Sequence, residues 1–296
     1  MTRRRFVSIA AATVAMAGHA AEAAPMIHWQ GRALGAAASM QLTGLEADKA
    51  QGIFRTVERE IARLERIFSL HHPQSQIVRL NRAGMLRSPA PELLEVLSLS
   101  GGLHRASEGA FDPTIQPVWQ GFATATGQDI APDLLAQPGW HRLRFDAEEI
   151  RIEQGGALTL NGIAQGYITD RIAALLRSKG LSDVLIDMGE IAAIGSKPWQ
   201  VGIALPDQSL VNRITLSDRA LATSAPMGTV LSPAAGLGHI IDPRDPMAPP
   251  RYQLVSVSAN TAAVADGLST ALCLLPRDKM VGCLTSYPDA TIETLI

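Results

Sequence analysis

Hydrophobic residues recur with helical spacing in three stretches of the chain. Over residues 53–68 apolar side chains return every three or four positions, with arginine and glutamate between them, which predicts an amphipathic helix. Residues 92–106 predict a second helix of the same kind. A third helix is predicted over residues 262–275, with Asn260 or Thr261 as its N-cap.

Between residues 140 and 203 the apolar runs are shorter and predict strands around one further helix. Residues 143–145 and 150–152 predict paired strands, and a Gly-Gly turn then leads into a strand predicted over residues 157–160. The helix follows, with the apolar face of residues 167–176 at i, i+3 and i+4 spacing.

Strand–helix units occur twice in this pattern. A short buried strand is predicted over residues 184–186, directly after the helix, and another over residues 254–257, directly before the last helix. The chain therefore predicts an α+β fold made of two related strand–helix–strand halves with antiparallel sheets.

The first residues form a processing signal instead of part of the fold. Arg3, Arg4 and Arg5 precede an uncharged apolar run over residues 6–17, and small residues around Ala23 suit a signal peptidase. We predict an export signal peptide over residues 1–23 that resembles a twin-arginine signal, a mature domain over residues 24–296, and a periplasmic location. A short membrane anchor is the alternative, although a span needs about 20 apolar residues.

Composition narrows the classes of function. The 296 residues are 47% hydrophobic and 18% charged, as in globular proteins, and the net charge of -2 argues against general attraction to nucleic acid. The two cysteines, Cys273 and Cys283, are too few for a disulfide framework or a cysteine-rich metal site. A bridge between them and two buried thiols both remain open at this point.

Asp266 and Thr270 carry the first chemical signal. They lie four residues apart in an otherwise apolar helix, so both side chains point to the same side. A carboxylate and a hydroxyl are oxygen ligands of the kind that Mg²⁺ prefers when it also binds phosphates. In the alternative reading, the Thr270 hydroxyl bonds back to the Asp266 carbonyl and the carboxylate is merely solvated.

Three further segments could contact a ligand. Small residues over 161–167 precede a helix, so the backbone can approach a phosphate there, although an ordinary tight turn has the same composition. Residues 239–244 place a histidine, an aspartate and an arginine close together, where they could bind phosphate or move a proton. The polar turn over residues 109–114 contains Phe111, which could flank a planar ring or simply pack in the core.

The order and spacing of these segments resemble those of the ApbE family of FAD:protein FMN transferases, over about residues 34–275. Other pieces of the resemblance are Phe68-Ser69 through Ser75 to Asn81, Asn161 to Asp170, Asp187-Met188-Gly189 and Ala222-Thr223-Ser224. The family implies FAD as donor, Mg²⁺ as cofactor, and as acceptor a serine or threonine of a partner protein, usually a membrane redox protein facing the periplasm.

The resemblance also assigns site residues. It implies that Mg²⁺ is held by the Gly162 carbonyl, Asp266 and Thr270, and that His239 and Asp266 are catalytic. The residues that it places against FAD are His71, Ala110, Phe111, Asp112, Thr159, Gln165 and Ile240.

The chain departs from the family pattern at several of these positions. Thr159 stands where an acidic residue is usual, Gln165 where lysine or glutamate is usual, and Gly189-Glu190 where a glycine pair is usual. Two alternatives therefore accompany FMN transfer: a pyrophosphatase that splits FAD into FMN and AMP, and a non-catalytic FAD-binding assembly factor of a periplasmic redox system. Among the family's branches the chain is most similar to accessory flavoproteins of nitrous oxide reductase systems.

Overall fold

A computed structural model describes residues 26–124, 139–233 and 236–296. The signal peptide predicted over residues 1–23 lies outside these ranges. The helices are α1 (Ala47–Phe68), α2 (Gln76–Ala83), α3 (Pro91–Ala106), α4 (Gln116–Thr124), α5 (Ala164–Ser178), α6 (Ala262–Leu272) and α7 (Arg277–Thr285). The strands are β1 (Met26–Ala33), β2 (Ala36–Thr43), β3 (Met85–Arg87), β4 (Arg144–Phe145), β5 (Glu149–Arg151), β6 (Val184–Asp187), β7 (Ile191–Ile194), β8 (Trp199–Ala204), β9 (Leu210–Leu216), β10 (Ala220–Ser224), β11 (Val230–Ser232), β12 (Leu237–Gly238), β13 (Val255–Ala259) and β14 (Thr291–Leu295).

A seven-stranded sheet organises the fold, in the order β1-β2-β6-β7-β10-β13-β14. Every neighbouring pair in it is antiparallel. Three smaller sheets accompany it, formed by β3-β5-β4, β8-β9 and β11-β12. The α+β prediction with antiparallel sheets is confirmed.

The main sheet has an apolar layer on each face. Ile186 and Ala192 point into the large core that the helices cover, whereas their neighbours Leu185 and Ile191 point into a second core beneath the β8-β9 hairpin. This alternation follows from the two-residue period of a strand. Because both faces are buried, β6 and β7 consist almost wholly of apolar residues.

The predicted helices are confirmed, with small differences at their ends. The pattern over residues 53–68 belongs to α1, which begins six residues earlier, and residues 92–106 belong to α3. The third helix, α6, ends at Leu272, three residues before its predicted end. Thr261 is its N-cap, since its side chain accepts a hydrogen bond from Val264 N.

The strand predicted over residues 157–160 is wrong. The segment is largely buried but belongs to no strand, and hydrogen bonds from outside any sheet hold its middle residues. The Asn81 side chain donates to the Leu158 carbonyl and accepts from the Leu158 N–H, both at 2.8 Å, and Thr159 N donates to Pro113 O at 2.8 Å. One side-chain amide therefore replaces the ladder that the apolar run suggested.

Of the two alternatives for the cysteines, the structure has two buried thiols and no bridge between them. Cys273 and Cys283 are both free, and burial raises the pKa of the Cys283 thiol to about 11.

Within the described ranges, no helix has the length and apolarity that a membrane span requires.

Candidate functional site

A cavity of about 710 Å³ opens beside the N-terminal end of α5 and one face of α6. Its walls also include the turn between β1 and β2, the segments before α4 and α5, and the ends of β7 and β10. Every site residue assigned from the sequence lines this cavity: His71, Ala110, Phe111, Asp112, Thr159, Gly162, Gln165, His239, Ile240, Asp266 and Thr270. The structure therefore brings together residues that are up to about 200 positions apart in the sequence.

One wall of the cavity, formed by the segment before α5 and by α6, contains Gly162, Asp266 and Thr270. A Cβ atom built on Gly162 would lie 3.0 Å from Thr270 Oγ1, so the glycine backbone and the threonine hydroxyl are direct neighbours. Asp266 Oδ2 accepts a hydrogen bond from Gly166 N at 3.0 Å, which orients the carboxylate toward the start of α5. The arrangement therefore places a peptide group, a carboxylate and a hydroxyl on one wall of the cavity.

The alternative reading of Asp266 and Thr270 is wrong on both points. The carbonyl of Asp266 accepts its side-chain hydrogen bond from Ser269 Oγ at 3.0 Å, whereas Thr270 Oγ1 lies 3.4 Å from Ser224 Oγ. Asp266 is 4% exposed and is therefore not a solvated surface residue.

Acidic groups surround this wall. Burial raises the pKa of Asp266 to about 7, an effect that the Gly166 hydrogen bond opposes and the nearby charge of Asp170 reinforces. Burial also raises the pKa of Glu190 well above its usual range, and the charges of Asp266 and Asp187 add to the rise. A buried cluster of this kind favours either bound protons or a cation that neutralises it.

The oxygen donors fit a hard divalent cation that keeps part of its water shell. Among the described residues no three histidine, cysteine, aspartate or glutamate side chains converge as a closed metal site. A single carboxylate with a hydroxyl and a backbone carbonyl suits Mg²⁺, which is usually bound by one or two carboxylates together with substrate phosphates. The lack of a Cβ on Gly162 keeps the approach to Thr270 open.

His239 directly follows β12 and is fixed by contacts with a backbone turn around Pro226. Its Nδ1 is 3.1 Å from Pro226 O and 3.3 Å from Thr229 N, and His239 N donates to Pro226 O. Burial lowers the pKa of His239, so the ring is neutral near pH 7. When Nδ1 carries the ring proton and donates it to Pro226 O, Nε2 is the nitrogen that can take up a further proton.

The turn that carries Phe111 and Asp112 is held from several sides. Asp112 Oδ1 accepts from Thr114 N and Thr114 Oγ1, and Oδ2 accepts from Trp140 N at 3.2 Å. His104 Nδ1 lies 3.0 Å from Phe111 O. The Asp112 carboxylate therefore organises this wall, and the Phe111 ring, 5% exposed, is packed at its edge.

Two of the positions that depart from the family pattern, Thr159 and Gln165, make local hydrogen bonds. Thr159 Oγ1 accepts from Asn161 N at 3.3 Å, within the segment that leads into Gly162. Gln165 Nε2 donates to Met188 O at 3.4 Å and so connects the first turn of α5 with the end of β6. Neutral side chains at these positions leave the α5 terminus without an added charge.

Arg244 does not face the cavity as a phosphate ligand. Its guanidinium makes two hydrogen bonds to the Asp242 carboxylate, at 2.8 and 2.7 Å, and a third to Leu274 O at 2.9 Å. The ion pair raises the pKa of Arg244 and ties this loop to the end of α6. Of the residues in this motif, His239, Ile240, Ile241 and Pro243 line the cavity.

Sequence reasoning gave no site role to Asn81, Glu190 and Ser224, which also line the cavity. Asn81 and Ser224 are the last residues of two segments that carry the family resemblance, and this position was the signal by which they could have been found. Glu190 stood out only as a departure from a glycine pair. The hydrophobic periodicity around these three residues does not distinguish them from polar residues with a purely structural role.

Comparisons with known proteins point to one family. The family model described as "ApbE family" matches residues 34–295. A FAD:protein FMN transferase of Klebsiella pneumoniae (strain 342) is 25% identical, with 84% of this chain and 78% of that protein covered. A protein with the same name from Haemophilus influenzae is 27% identical, covering 71% of this chain and 69% of that protein.

A solved structure of "Flavin Transferase ApbE from Vibrio cholerae" superposes with a TM-score of 0.78 at 22% identity. The alignment covers 91% of this chain and 93% of that one, which confirms the fold. Because the family model spans most of the sequence, the chain belongs to the ApbE family.

Proposed function

We propose that the protein transfers FMN from FAD to a serine or threonine hydroxyl of a partner protein and releases AMP, in a reaction that depends on Mg²⁺. The observation that carries the proposal is the meeting of Gly162, Asp266 and Thr270 on one wall of the cavity, beside the N-terminus of α5. The names of the curated relatives support the same reaction class.

Mg²⁺ would be held by the Gly162 carbonyl, Asp266 and Thr270. When bound, it supplies positive charge that offsets the charge developing on the pyrophosphate. The buried acidic groups favour this, because the charge of Asp266 raises the pKa of Glu190 and a bound cation would offset that repulsion. The partial positive charge at the α5 N-terminus favours the pyrophosphate of FAD.

The residues of the chain then act mainly by holding FAD and the acceptor hydroxyl in position for the reaction. The acceptor hydroxyl attacks the phosphorus on the FMN side, a new P–O bond forms, and the P–O bond to AMP breaks. The neutral His239 can accept the hydroxyl proton at Nε2, a contribution of typically ~10²–10⁴-fold for general base catalysis. The proton is finally lost to solvent or to the departing AMP, so that the products are the flavinylated partner and AMP.

The partner that we propose is a membrane redox protein with its acceptor hydroxyl on the periplasmic side. The support for this location is the arginine run and short apolar segment over residues 3–17, which favour export by the twin-arginine route and removal of residues 1–23. An exported transferase and a periplasm-facing acceptor meet in the same compartment.

One assay separates this function from its alternatives. FAD and Mg²⁺ are incubated with the protein, with and without an acceptor domain, and AMP, FMN and the mass of the acceptor are measured. FMN transfer predicts AMP together with a flavinylated acceptor. Equal amounts of AMP and free FMN without an acceptor would identify a pyrophosphatase, and bound FAD without any AMP would identify a carrier.

A further inference from the structure

Asp170 has no part in the proposed chemistry, yet its carboxylate contacts the helix that carries the metal ligands. Oδ1 accepts from Ala262 N at 2.7 Å and Oδ2 accepts from Ala263 N at 2.9 Å. These are the first two amides of α6, and the first amides of a helix have no carbonyl partner within it. A carboxylate at this end also interacts favourably with the helix dipole. Asp170, a residue of α5, therefore caps α6.

A second contact of the same kind lies one turn later in α6 and one turn earlier in α5. Asp266, four residues after Ala262, accepts from Gly166 N in the first turn of α5, and Asp170 lies four residues after Gly166. Each helix thus uses a carboxylate one turn beyond the contact point to satisfy amides at the start of the other. We call these three hydrogen bonds, from Ala262, Ala263 and Gly166, the reciprocal clamp.

The backbones of the two helices nearly touch inside the reciprocal clamp. A Cβ atom on Gly166 would lie 2.3 Å from Ala262 O and 2.8 Å from Ala263 Cα, so no side chain fits at this position without a shift. The distance between α5 and α6 is therefore set by backbone contact. The hydrogen bonds of the clamp then set how far α6 can slide or turn against α5.

Keeping a carboxylate in this place is unfavourable in itself. Burial raises the pKa of Asp170 to about 6, although the two backbone hydrogen bonds oppose the rise. Buried charged groups generally contribute less to stability than apolar contacts of the same size, and their best-attested use is to fix one arrangement. The unfavourable burial of the Asp170 carboxylate is consistent with a residue whose role is to fix α6 against α5.

We infer that Asp170 is a positioning residue for the metal site: by capping α6 it sets the depth at which Asp266 and Thr270 face the Gly162 carbonyl. The inference rests on the proposed function, because it takes these three residues as the Mg²⁺ ligands. Asp266 lies one turn and Thr270 two turns from the capped end, so a displacement of that end moves both ligands together.

Titration of Mg²⁺ alone into metal-free protein by isothermal calorimetry tests the inference without any turnover. Asp170→Asn keeps the side-chain shape, but its NH₂ group faces an amide that needs an acceptor, so one hydrogen bond and the charge are lost. We expect Mg²⁺ to bind about 10-fold to 100-fold more weakly, as when other groups that orient metal ligands are removed. Asp170→Glu keeps the charge but lengthens the connection, and the weaker binding should persist.

Thr261→Ala is the matched control. It removes the other cap of α6, the hydrogen bond from Val264 N, which connects nothing to α5. If the caps only stabilise the helix, both substitutions lower the melting temperature and neither changes Mg²⁺ affinity. If Asp170 positions the ligands, only the Asp170 variants bind Mg²⁺ more weakly.

The possible failures are distinguishable. A wild-type protein that binds no Mg²⁺ overturns the metal assignment and this inference with it. Tight binding by the wild type, together with unchanged affinity in whichever Asp170 variant folds, overturns this inference alone and leaves the proposed function standing. Equal weakening by Thr261→Ala also overturns it.

Discussion

Gly162 and Thr270 lie in direct contact: a Cβ atom added to Gly162 would be 3.0 Å from Thr270 Oγ1 and 3.1 Å from Thr270 Cγ2. These two residues belong to different helical units, separated in the sequence by the whole of α5 and most of the main sheet. The contact brings a backbone carbonyl and a hydroxyl to the same wall as Asp266. One added methyl group at Gly162 would therefore press on the Thr270 hydroxyl.

Gly162→Ala should weaken Mg²⁺ binding by about 10-fold, because the new methyl group displaces the Thr270 hydroxyl by a few tenths of an ångström. Calorimetry with Mg²⁺ measures this directly. Gly52→Ala is the control, since a Cβ there meets nothing within 4 Å, and in helix α1 it should stabilise the fold by about 0.5–1 kcal/mol. Equal Mg²⁺ affinity in wild type and Gly162→Ala would argue against the carbonyl–hydroxyl pair as ligands.

Asn81→Ala should lower the free energy of unfolding by about 1–3 kcal/mol, because the substitution leaves the buried N–H and carbonyl of Leu158 without their partner. The released segment leads to Thr159 and Gly162, so FAD should also bind more weakly. Urea denaturation and quenching of flavin fluorescence give the two quantities.

Asn212→Ala provides the comparison for Asn81→Ala. The Asn212 amide donates to Glu293 O and Thr294 Oγ1, both at 3.0 Å, away from the cavity. Asn212→Ala should lower the free energy of unfolding while the affinity for FAD stays unchanged. A similar loss of FAD affinity in both variants would mean that Asn81 acts through general stability only.

The metal-free protein should become less stable as the pH rises from about 4 to about 7. Burial raises the pKa of Asp266 to about 7 and those of Asp170 and Asp187 to about 6, so the folded state keeps protons that the unfolded state has already lost. Below about pH 4 these carboxyl groups are protonated in both states, and the folded protein has its full stability. As the pH rises, the free energy of unfolding falls by about 1.4 kcal/mol per pH unit for each proton that only the folded state still holds.

Urea denaturation in EDTA at several pH values measures this loss. Asp266→Asn cannot take up a proton, so its free energy of unfolding should fall less steeply with pH than that of the wild type. Parallel pH profiles for the two proteins would contradict the assignment of a raised pKa to Asp266.

Export should depend on the arginine run at the start of the chain. Replacing Arg3, Arg4 and Arg5 together with lysine keeps the positive charge but removes any arginine pair, and we expect periplasmic accumulation to be lost. Fractionation of cells followed by immunoblotting measures it. Unchanged accumulation would instead indicate the general secretion route.

The helices could be predicted from the sequence because each buries one face. In α1 the buried residues Val57, Ile61 and Leu64 repeat at three or four positions, which no strand would produce. The Asp266–Thr270 spacing was informative for the same reason. Local periodicity therefore placed Asp266 and Thr270 on one side of α6, and both line the cavity.

Contacts between distant residues could not be predicted in this way. The apolar run around Leu158 has the composition of a strand, but its partner is a side chain 77 residues earlier. The hydrogen bond between Gly166 and Asp266 spans 100 residues and has no local pattern. Strand order in the main sheet is likewise decided by long-range pairing, which a single sequence does not encode in its spacing.

The measurement that most directly tests the proposed function is flavinylation by Asp266→Asn. Asparagine keeps the shape and an acceptor for the Gly166 N–H but removes the negative charge that Mg²⁺ needs. We expect FMN transfer to fall by about 10²-fold or more, the size typical for loss of one group that stabilises transition-state charge, with the fold retained. Thr270→Val should have a smaller effect, because a hydroxyl is a neutral and weaker ligand.

Each variant is mixed with FAD, excess Mg²⁺ and an acceptor domain, and the acceptor is weighed by mass spectrometry for the covalent FMN increment. Asp289→Asn serves as the control, because Asp289 also accepts a backbone hydrogen bond, from Asn260, but lies outside the cavity lining. We expect full flavinylation by the control and almost none by Asp266→Asn. Flavinylation by Asp266→Asn at the wild-type rate would contradict the metal assignment and most of the mechanism built on it.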